Sequence, residues 1–163
     1  MTADPSHIAL YLPSLRGGGA ERVMVTLVNG FAARGHRVDL VLARAEGPYL
    51  DDVAATVRIV NLDRGRVLAS LLPLARYLRR ERPDAMLSAL NHANVIAILA
   101  RKLALVNTRL VVSERNAPTQ SLAGPGKARI MRSLIRLTYP MADGVVAVSK
   151  GMQAEMHSYL GVP

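Results

Sequence analysis

The sequence contains no cysteine and no tryptophan, and it has few aromatic residues of any kind. Without cysteine, disulfide-stabilised scaffolds, thiolate nucleophiles and cysteine-ligated zinc sites are excluded. Only 4% of the 163 residues are aromatic, and we find neither an RNA-reading aromatic strand nor a helix-turn-helix pattern. Nucleic acid is therefore the weakest of the candidate partners.

Long apolar runs are also lacking. Residues 1–6 are polar and the apolar run after them stops at Pro13, so we expect neither a signal peptide nor a membrane anchor. The most apolar stretch, residues 85–100, is interrupted by four polar side chains and is shorter than the roughly 18–20 residues that span a bilayer. These features predict a cytoplasmic protein that at most associates peripherally with the inner face of the cytoplasmic membrane.

The net charge of +9 is unevenly distributed. Residues 1–60 have no net charge, whereas residues 61–136 carry +10. Of the 21 basic residues, 18 are arginine, and the guanidinium group suits bidentate contact with phosphate. The charge pattern therefore predicts a phosphate-bearing partner.

Apolar segments alternate with segments of helical periodicity along the chain. The strand candidates are residues 7–12, 37–43, 57–62, 84–89, 109–113 and 143–148, and the helix candidates are 20–34, 73–80, 93–106, 127–139 and a last helix from Lys150. This alternation predicts an α/β fold: a Rossmann-like, doubly wound parallel sheet of about six strands with helices on both faces, in one domain over residues 1–163. Sites in such sheets lie beyond the carboxyl ends of the strands.

The first strand is followed by three glycines, Gly17, Gly18 and Gly19. Glycines let a ligand approach the backbone closely, and the helix that follows directs unpaired amides at an anion. The dinucleotide fingerprint is incomplete here, because its third glycine and the acidic residue after the second strand are missing, and no P-loop lysine follows. The segment is therefore either an anion-binding loop or a tight turn without a ligand.

Four stretches carry a more specific signal: IALYLPSLRGGGAERVMVTLVNGFAARGHRVDLV, RRERPDAMLSALNHANVIAILA, VVSERNAP and ADGVVAVSKGM. In this order they resemble the amino-terminal half of the GT-B glycosyltransferases of family 4. The S-E-R-N run is similar to that of enzymes that act on polyisoprenyl-diphosphate-linked sugars or build surface polysaccharides.

This resemblance implies a glycosyltransferase, which moves a sugar with retention from a nucleotide-sugar donor to a lipid-linked or surface-polysaccharide acceptor, with no metal or other cofactor. The family binds the donor chiefly through a carboxy-terminal domain, and its paired-glutamate motif is absent from this sequence. We therefore expect the chain to be the acceptor-side half without its partner domain, and to be inactive alone. The alternative is a non-catalytic module that binds a sugar diphosphate or a phospholipid phosphate.

By the same resemblance, the glycine loop faces the cleft between the two domains, and His92 lies near the donor sugar or the acceptor, with Asn91 beside it. His92 is the catalytic candidate, although no catalytic residue is assigned with certainty. Histidine can donate and accept hydrogen bonds near neutral pH. The alternative is a partly buried histidine at a helix start, with Asn91 or Asn94 as the helix cap.

The fifth strand candidate runs into Ser113, Glu114, Arg115 and Asn116. We expect Glu114 to orient Arg115, which could then bind a phosphate, with Asn116 as a further substrate contact. The alternative is a structural ion pair between Glu114 and Arg115. Near the end of the chain, Ser149 is expected to cap the last helix.

The helix candidate at 127–139 is basic and amphipathic. Lys127 begins it, and one face carries Arg129, Arg132, Ser133 and Arg136, while Ile130, Met131, Leu134 and Ile135 share the other. Such a helix can lie on an anionic membrane or contact phosphate. The alternative is a packed helix whose solvent-exposed side happens to be cationic.

Overall fold

The structure is a computed structural model that describes residues 5–115 and 125–161. The described strands are β1 (His7–Leu12), β2 (Arg37–Leu42), β3 (Arg58–Asn61), β4 (Ala85–Ala89), β5 (Arg109–Glu114) and β6 (Gly144–Ala147). They form one parallel sheet in the order β3-β2-β1-β4-β5-β6. The order changes direction between β1 and β4, as in a doubly wound Rossmann-like sheet. The expected fold class is confirmed.

Helices connect the strands on both sides of the sheet. In the described part of the chain they are α1 (Gly19–Ala33), α2 (Leu71–Glu81), α3 (Asn91–Ala104), α4 (Lys127–Thr138) and α5 (Lys150–Glu155). Short 3-10 turns occupy Pro48–Leu50, Val67–Ser70 and Tyr139–Met141, and a π-helical turn, Met156–Leu160, follows α5.

Alternate residues of β1 belong to two different hydrophobic cores. Ala9 and Tyr11 pack with residues of α2, α3 and α4, whereas Leu10 and Leu12 pack with residues of α1 such as Met24. Successive side chains of a strand point to opposite faces, so α1 covers one face of the sheet and α2, α3 and α4 cover the opposite face. Because both faces are buried, β1 is a continuous apolar run in the sequence.

The element boundaries agree with the sequence-based expectations to within a few residues. Pro73 lies in the first turn of α2, where its missing N–H removes no intrahelical hydrogen bond, and Val67–Ser70 before it is a 3-10 turn. The third helix begins at Asn91, two residues earlier than expected. The expected cap of α5 is confirmed, because Oγ of Ser149 accepts the backbone N–H of Met152 at 3.2 Å.

A buried carboxylate lies in the middle of β2. Asp39 has no exposed surface; it accepts two hydrogen bonds from Arg58 at 2.8 and 2.5 Å and one from the Tyr77 hydroxyl at 2.6 Å, and it lies 2.8 Å from Nε2 of His7. Burial by itself would raise the pKa of Asp39, but the hydrogen bonds from these three partners outweigh it and lower the pKa to about 2. This polar cluster joins β1, β2, β3 and α2.

Candidate functional site

The carboxyl ends of β1, β4 and β5 lie side by side at one edge of the sheet, because β1 pairs with β4 and β4 pairs with β5. The strand order changes direction between β1 and β4, and ligands of open α/β sheets bind in the crevice at such a switch point. The glycine loop follows β1, Asn91 and His92 follow β4, and Glu114 and Arg115 lie at the end of β5. The structure therefore brings three of the predicted site segments to one edge.

The glycine loop places a carboxylate of the chain itself at the start of α1. Gly17 has a φ of 115°, a conformation that favours glycine, and Gly18 is the N-cap residue of the helix. A Cβ atom at Gly18 would lie 2.2 Å from Oε2 of Glu21, whereas one at Gly19 would meet no atom within 4 Å. The carboxylate of Glu21 thus lies beside Gly18 at the start of α1. An external anion at this helix end would have to displace it.

His92 follows a strained turn at the switch point. Leu90 has φ 77° and ψ 133°, a backbone conformation that costs a non-glycine residue about 1–3 kcal/mol and is typical of functional sites. Oδ1 of Asn91 accepts the backbone N–H of His92 at 2.6 Å and lies 3.2 Å from its Nδ1. Because a carbonyl oxygen only accepts, this contact places the ring proton on Nδ1 and leaves Nε2 as an acceptor.

The charge state of His92 follows from its surroundings. The residue is half-buried, and burial lowers the pKa of its imidazole below the usual histidine value. The ring is therefore neutral at pH 7. A neutral ring with its proton on Nδ1 can accept a hydrogen bond from a sugar hydroxyl through Nε2.

The side chain of Glu114 points into the interior of the domain. Its side chain is only 1% exposed; it accepts the hydroxyl proton of Tyr139 at 2.8 Å and the backbone N–H of Arg115 at 3.3 Å. The described contact between Glu114 and Arg115 is to the backbone N–H of Arg115, and that Glu114 orients the guanidinium stays a prediction. The side chain turns inward because Tyr139, at the end of α4, provides a buried partner.

Arg115 is half-buried, and burial lowers the pKa of its guanidinium. Its Nε is enclosed and has no hydrogen-bond partner among the residues that the structure describes. A buried donor without a partner is costly, and a bound anion would satisfy it. That Arg115 binds phosphate stays a prediction, and Asn116 lies outside the described residues.

Asn94 has a role that the sequence analysis missed. It lies inside α3, which begins at Asn91, so it is not the helix cap considered above. It is fully buried, and its Nδ2 donates to the carbonyl of Ser113 and to the hydroxyl of Tyr139, both at 3.0 Å. Oδ1 of Asn94 and the hydroxyls of Ser88 and Ser113 have no partner among the described residues. The signal in the sequence was a polar side chain surrounded by apolar neighbours in a helix, which indicates a residue that faces the core.

The basic helix α4 exposes apolar as well as cationic side chains. Lys127, Arg129 and Arg136 are exposed and Arg132 is half-buried. Ile130, on the predicted apolar face, is 62% exposed, and Leu137 is 71% exposed. The helix packs through its two buried residues, Ile135 and Thr138, and through Met131 and Leu134, which are partly buried against the same core. Beside the exposed apolar residues lies a shallow groove of about 320 Å³.

A cavity of about 730 Å³ opens at the opposite edge of the sheet, where β4 and β5 begin. Arg82, Asp84, Leu105 and Arg109 are among its lining residues. Since ligands of doubly wound sheets bind at the carboxyl ends of the strands, we assign this cavity no part in the site.

Across residues 5–115 and 125–161, no helix is long and apolar enough to cross a bilayer. The same residues contain no group of three or more His, Asp or Glu side chains placed to hold a metal ion.

The sequence matches the model of Glycosyltransferase Family 4 over residues 17–163. It is also 29% identical over 148 residues to the Campylobacter jejuni protein named GalNAc-alpha-(1->4)-GalNAc-alpha-(1->3)-diNAcBac-PP-undecaprenol alpha-1,4-N-acetyl-D-galactosaminyltransferase. That match covers 85% of this chain and 39% of the relative. The chain therefore spans about two fifths of the length of this curated relative.

Solved glycosyltransferases share the fold. A Rickettsia africae glycosyltransferase superposes with a TM-score of 0.73 at 13% identity, over 99% of this chain and 41% of that one. The lipopolysaccharide outer core galactosyltransferase WaaB superposes with a TM-score of 0.71 at 13% identity, over 96% of this chain and 43% of that one. Anabaena HepE in complex with UDP and glucose superposes with a TM-score of 0.68 at 18% identity, over 97% of this chain and 42% of that one.

At these identities the likeness shows the fold alone, which is that of one Rossmann-like domain of a GT-B glycosyltransferase. The family model, by contrast, matches nearly the whole sequence. This chain belongs to glycosyltransferase family 4.

Proposed function

We propose that the chain is the acceptor-binding domain of a retaining glycosyltransferase, which transfers a sugar from a nucleotide-sugar donor to a lipid-linked or surface-polysaccharide acceptor. The observation that carries the proposal is the strained turn at Leu90, which presents His92 at the switch point of a family 4 domain. The name of the Campylobacter relative describes action on a saccharide linked to undecaprenyl diphosphate, which supports an acceptor of that class. The proposed reaction uses no metal or other cofactor.

In this proposal His92 accepts a hydrogen bond from a hydroxyl group of the acceptor or the donor sugar. Nε2 can do so only while the ring is neutral. Protonation would turn this nitrogen into a donor, so a hydrogen bond in this direction is lost as the pH falls through the pKa of His92, which burial places below its usual value. Above that pKa, binding should not depend on the protonation of His92.

The proposed reaction requires a second domain that holds the donor. In the GT-B architecture the cleft forms between two domains, and this chain has the fold of one. We propose that the isolated chain binds acceptor but does not transfer sugar. Formation of glycosylated product by the chain alone, from a nucleotide sugar and a lipid-linked acceptor, would contradict this.

Acceptor binding can be tested with a short isoprenyl-diphosphate-linked saccharide. We expect it to bind the ¹⁵N-labelled chain and to shift the amide signals of Asn91, His92 and the glycine loop. The substitution His92→Phe keeps an aromatic ring but removes both ring nitrogens. It should weaken binding by about tenfold, the value of one hydrogen bond in a partly desolvated site. Isothermal titration calorimetry measures the affinity.

The matched control is His157→Phe, because His157 is exposed in the turn after α5. This change should leave the affinity unaltered. An equal loss in both variants, or no saccharide binding by the unaltered chain, would contradict the proposed function.

A non-catalytic phosphate-binding module is the second candidate. The concentration of arginine between residues 61 and 136 favours it, because such a module needs cations but no group that contacts a sugar hydroxyl. It predicts that sugar diphosphates bind with an affinity that His92→Phe does not change. The calorimetric comparison above therefore separates the two candidates.

We also propose that α4 contacts an anionic membrane surface, which would bring the domain to lipid-linked acceptors on the inner face of the cytoplasmic membrane. Lys127 and Arg129 are exposed beside Ile130, and each cation near such a surface contributes about 1 kcal/mol. The double substitution Lys127→Gln and Arg129→Gln should therefore lower binding to phosphatidylglycerol vesicles about 10- to 30-fold in a sedimentation assay.

The control for charge is Arg82→Gln with Arg109→Gln, which removes the same charge at the opposite edge of the sheet. This variant should bind vesicles nearly as well as the unaltered chain. Equal losses in both double variants, or binding that persists at high salt, would contradict electrostatic contact through α4.

A further inference from the structure

Three arginines surround a small cleft at the carboxyl ends of β1, β2 and β3. We call it the arginine cleft; its lining includes Ser14, Arg16, Arg44, Glu46, Arg64 and Gly65, and its volume is about 100 Å³. It therefore suits a phosphate group better than a sugar ring.

The backbone around the arginine cleft is held in place by hydrogen bonds between three loops. The N–H of Leu15 donates to the carbonyl of Glu46 at 2.9 Å, that of Arg44 donates to Pro13 at 3.0 Å, and that of Arg64 donates to Ala43 at 2.7 Å. The three arginines thus start from fixed positions, so a ligand that binds them does not have to order the loops.

The charges in the cleft are unbalanced. Glu46 contacts Arg16 at 2.5 Å and Arg44 at 3.2 Å, so one carboxylate lies against two guanidinium groups, and Arg64 adds a third cation. The side chains of Arg16 and Arg44 are 72% and 56% exposed. Since a guanidinium carries five N–H donors, both keep donors for a ligand while they contact Glu46.

We infer that the arginine cleft binds a phosphate group of the acceptor's diphosphate, an inference that rests on the proposed function. Arginine clusters recognise phosphate through paired, charge-assisted hydrogen bonds. The cleft lies at the same carboxyl edge as His92, beyond β1, which neighbours both β2 and β4. A diphosphate held there leaves its attached saccharide free to extend along that edge toward β4.

Titration with geranyl diphosphate tests the inference on the whole chain. The Nε–Hε signals of Arg16, Arg44 and Arg64 should shift in nuclear magnetic resonance spectra. The double substitution Arg44→Gln and Arg64→Gln should weaken binding about tenfold or more, because charge-assisted hydrogen bonds are lost. The double variant Arg82→Gln and Arg109→Gln removes equal charge at the opposite edge, and its affinity should change less than twofold. Equal losses in the two variants would overturn the inference.

Glu46 provides a test of opposite sign. The substitution Glu46→Gln frees two guanidinium groups from a competing carboxylate, so it should strengthen geranyl diphosphate binding several-fold. Asp51→Asn changes the overall charge equally at an exposed position outside the cleft lining and should have little effect. If Asp51→Asn strengthens binding as much as Glu46→Gln, the effect is one of net charge and the inference fails.

Two further ligands identify the source of the phosphate. UDP and phosphatidylglycerol vesicles should shift the three arginine signals less than geranyl diphosphate does at equal phosphate concentration. A stronger response to either would assign the cleft to the donor or to the membrane and overturn the inference. The titration of His92→Phe with the lipid-linked saccharide distinguishes failure of this inference from failure of the proposed function. If saccharide binding is weakened by His92→Phe but not by the double substitution of Arg44 and Arg64, this inference alone fails. If geranyl diphosphate binds in the arginine cleft but His92→Phe does not change the affinity for the saccharide, the proposed function alone fails.

Discussion

Replacing Asp39 with alanine is expected to lower the free energy of unfolding by about 3 kcal/mol at pH 7. The side chain is fully buried, and its removal leaves the Tyr77 hydroxyl without its acceptor and breaks the bidentate contact with Arg58. Loss of one partner from a buried charge pair costs about 3–5 kcal/mol; the lower end applies because Arg58 is 43% exposed and can be rehydrated. Urea unfolding followed by circular dichroism measures the change.

The same carboxylate makes stability depend on pH. Hydrogen bonds hold the pKa of Asp39 at about 2 in the folded chain, although burial alone would raise it, while an unfolded aspartate titrates near 3.9. Because the pKa is lower in the folded chain, the stabilisation that the ionised Asp39 provides is fully present above about pH 4 and is lost as the pH falls through 2. The difference in stability between the unaltered chain and Asp39→Ala should therefore shrink over this range.

Asp51→Ala is the control, because Asp51 is an exposed carboxylate. It should change the free energy of unfolding by less than about 0.5 kcal/mol, both at pH 7 and at the acid end of the range. If the difference between Asp39→Ala and the unaltered chain stays constant down to pH 2, the ionised carboxylate is not what stabilises this cluster.

The architecture could be predicted because strand and helix periodicities are local properties. The buried strand β1 is a continuous apolar run, and Gly35 after α1 marks where that helix ends. The order of the strands in the sheet was not predicted, because strand pairing depends on contacts between segments that are far apart in the chain. Asp39 was missed for the same reason: its partners Arg58 and Tyr77 lie 19 and 38 residues away.

Where the candidate site residues lie in the fold was predictable, but the direction of their side chains was not. Asn91, His92 and Arg115 follow strand ends that the sequence shows, and a parallel sheet brings such ends to one edge. Glu114 was expected to orient Arg115, and nothing in the sequence indicated that its carboxylate also accepts a buried hydrogen bond from Tyr139, 25 residues further on. Whether a residue at the end of a strand faces a ligand or the core depends on the helix that packs there.

The arginine cleft shows a limit of counting charge along a chain. Two of its three arginines, Arg16 and Arg44, lie in residues 1–60, which have no net charge. The count therefore pointed to the middle of the chain. The cleft exists because three loops that are far apart in the sequence are hydrogen-bonded to one another, and no local spacing shows this.

Gly47 allows two of these loops to meet, and the substitution Gly47→Ala is expected to separate them. The residue has a φ of 120°, where an L side chain is strained, and a Cβ atom there would lie 2.0 Å from the carbonyl oxygen of Leu15. Backbone strain of this kind costs about 1–3 kcal/mol, and the hydrogen bond from Leu15 to Glu46 is worth about 1 kcal/mol more. We expect a loss of about 3 kcal/mol in the free energy of unfolding, measured in urea.

The substitution Gly35→Ala distinguishes the effect of backbone strain from that of a steric clash at the added Cβ atom. Gly35 also has a positive φ, 85°, but a Cβ atom there would meet no atom within 4 Å. This control should cost only the left-handed conformation, about 1–2 kcal/mol, and should leave the arginine cleft unchanged. Gly47→Ala should instead also weaken geranyl diphosphate binding, because moving Leu15 or Glu46 displaces Arg16 and its carboxylate partner. If Gly47→Ala loses stability but binds the diphosphate as before, the loops do not need this contact to position the arginines.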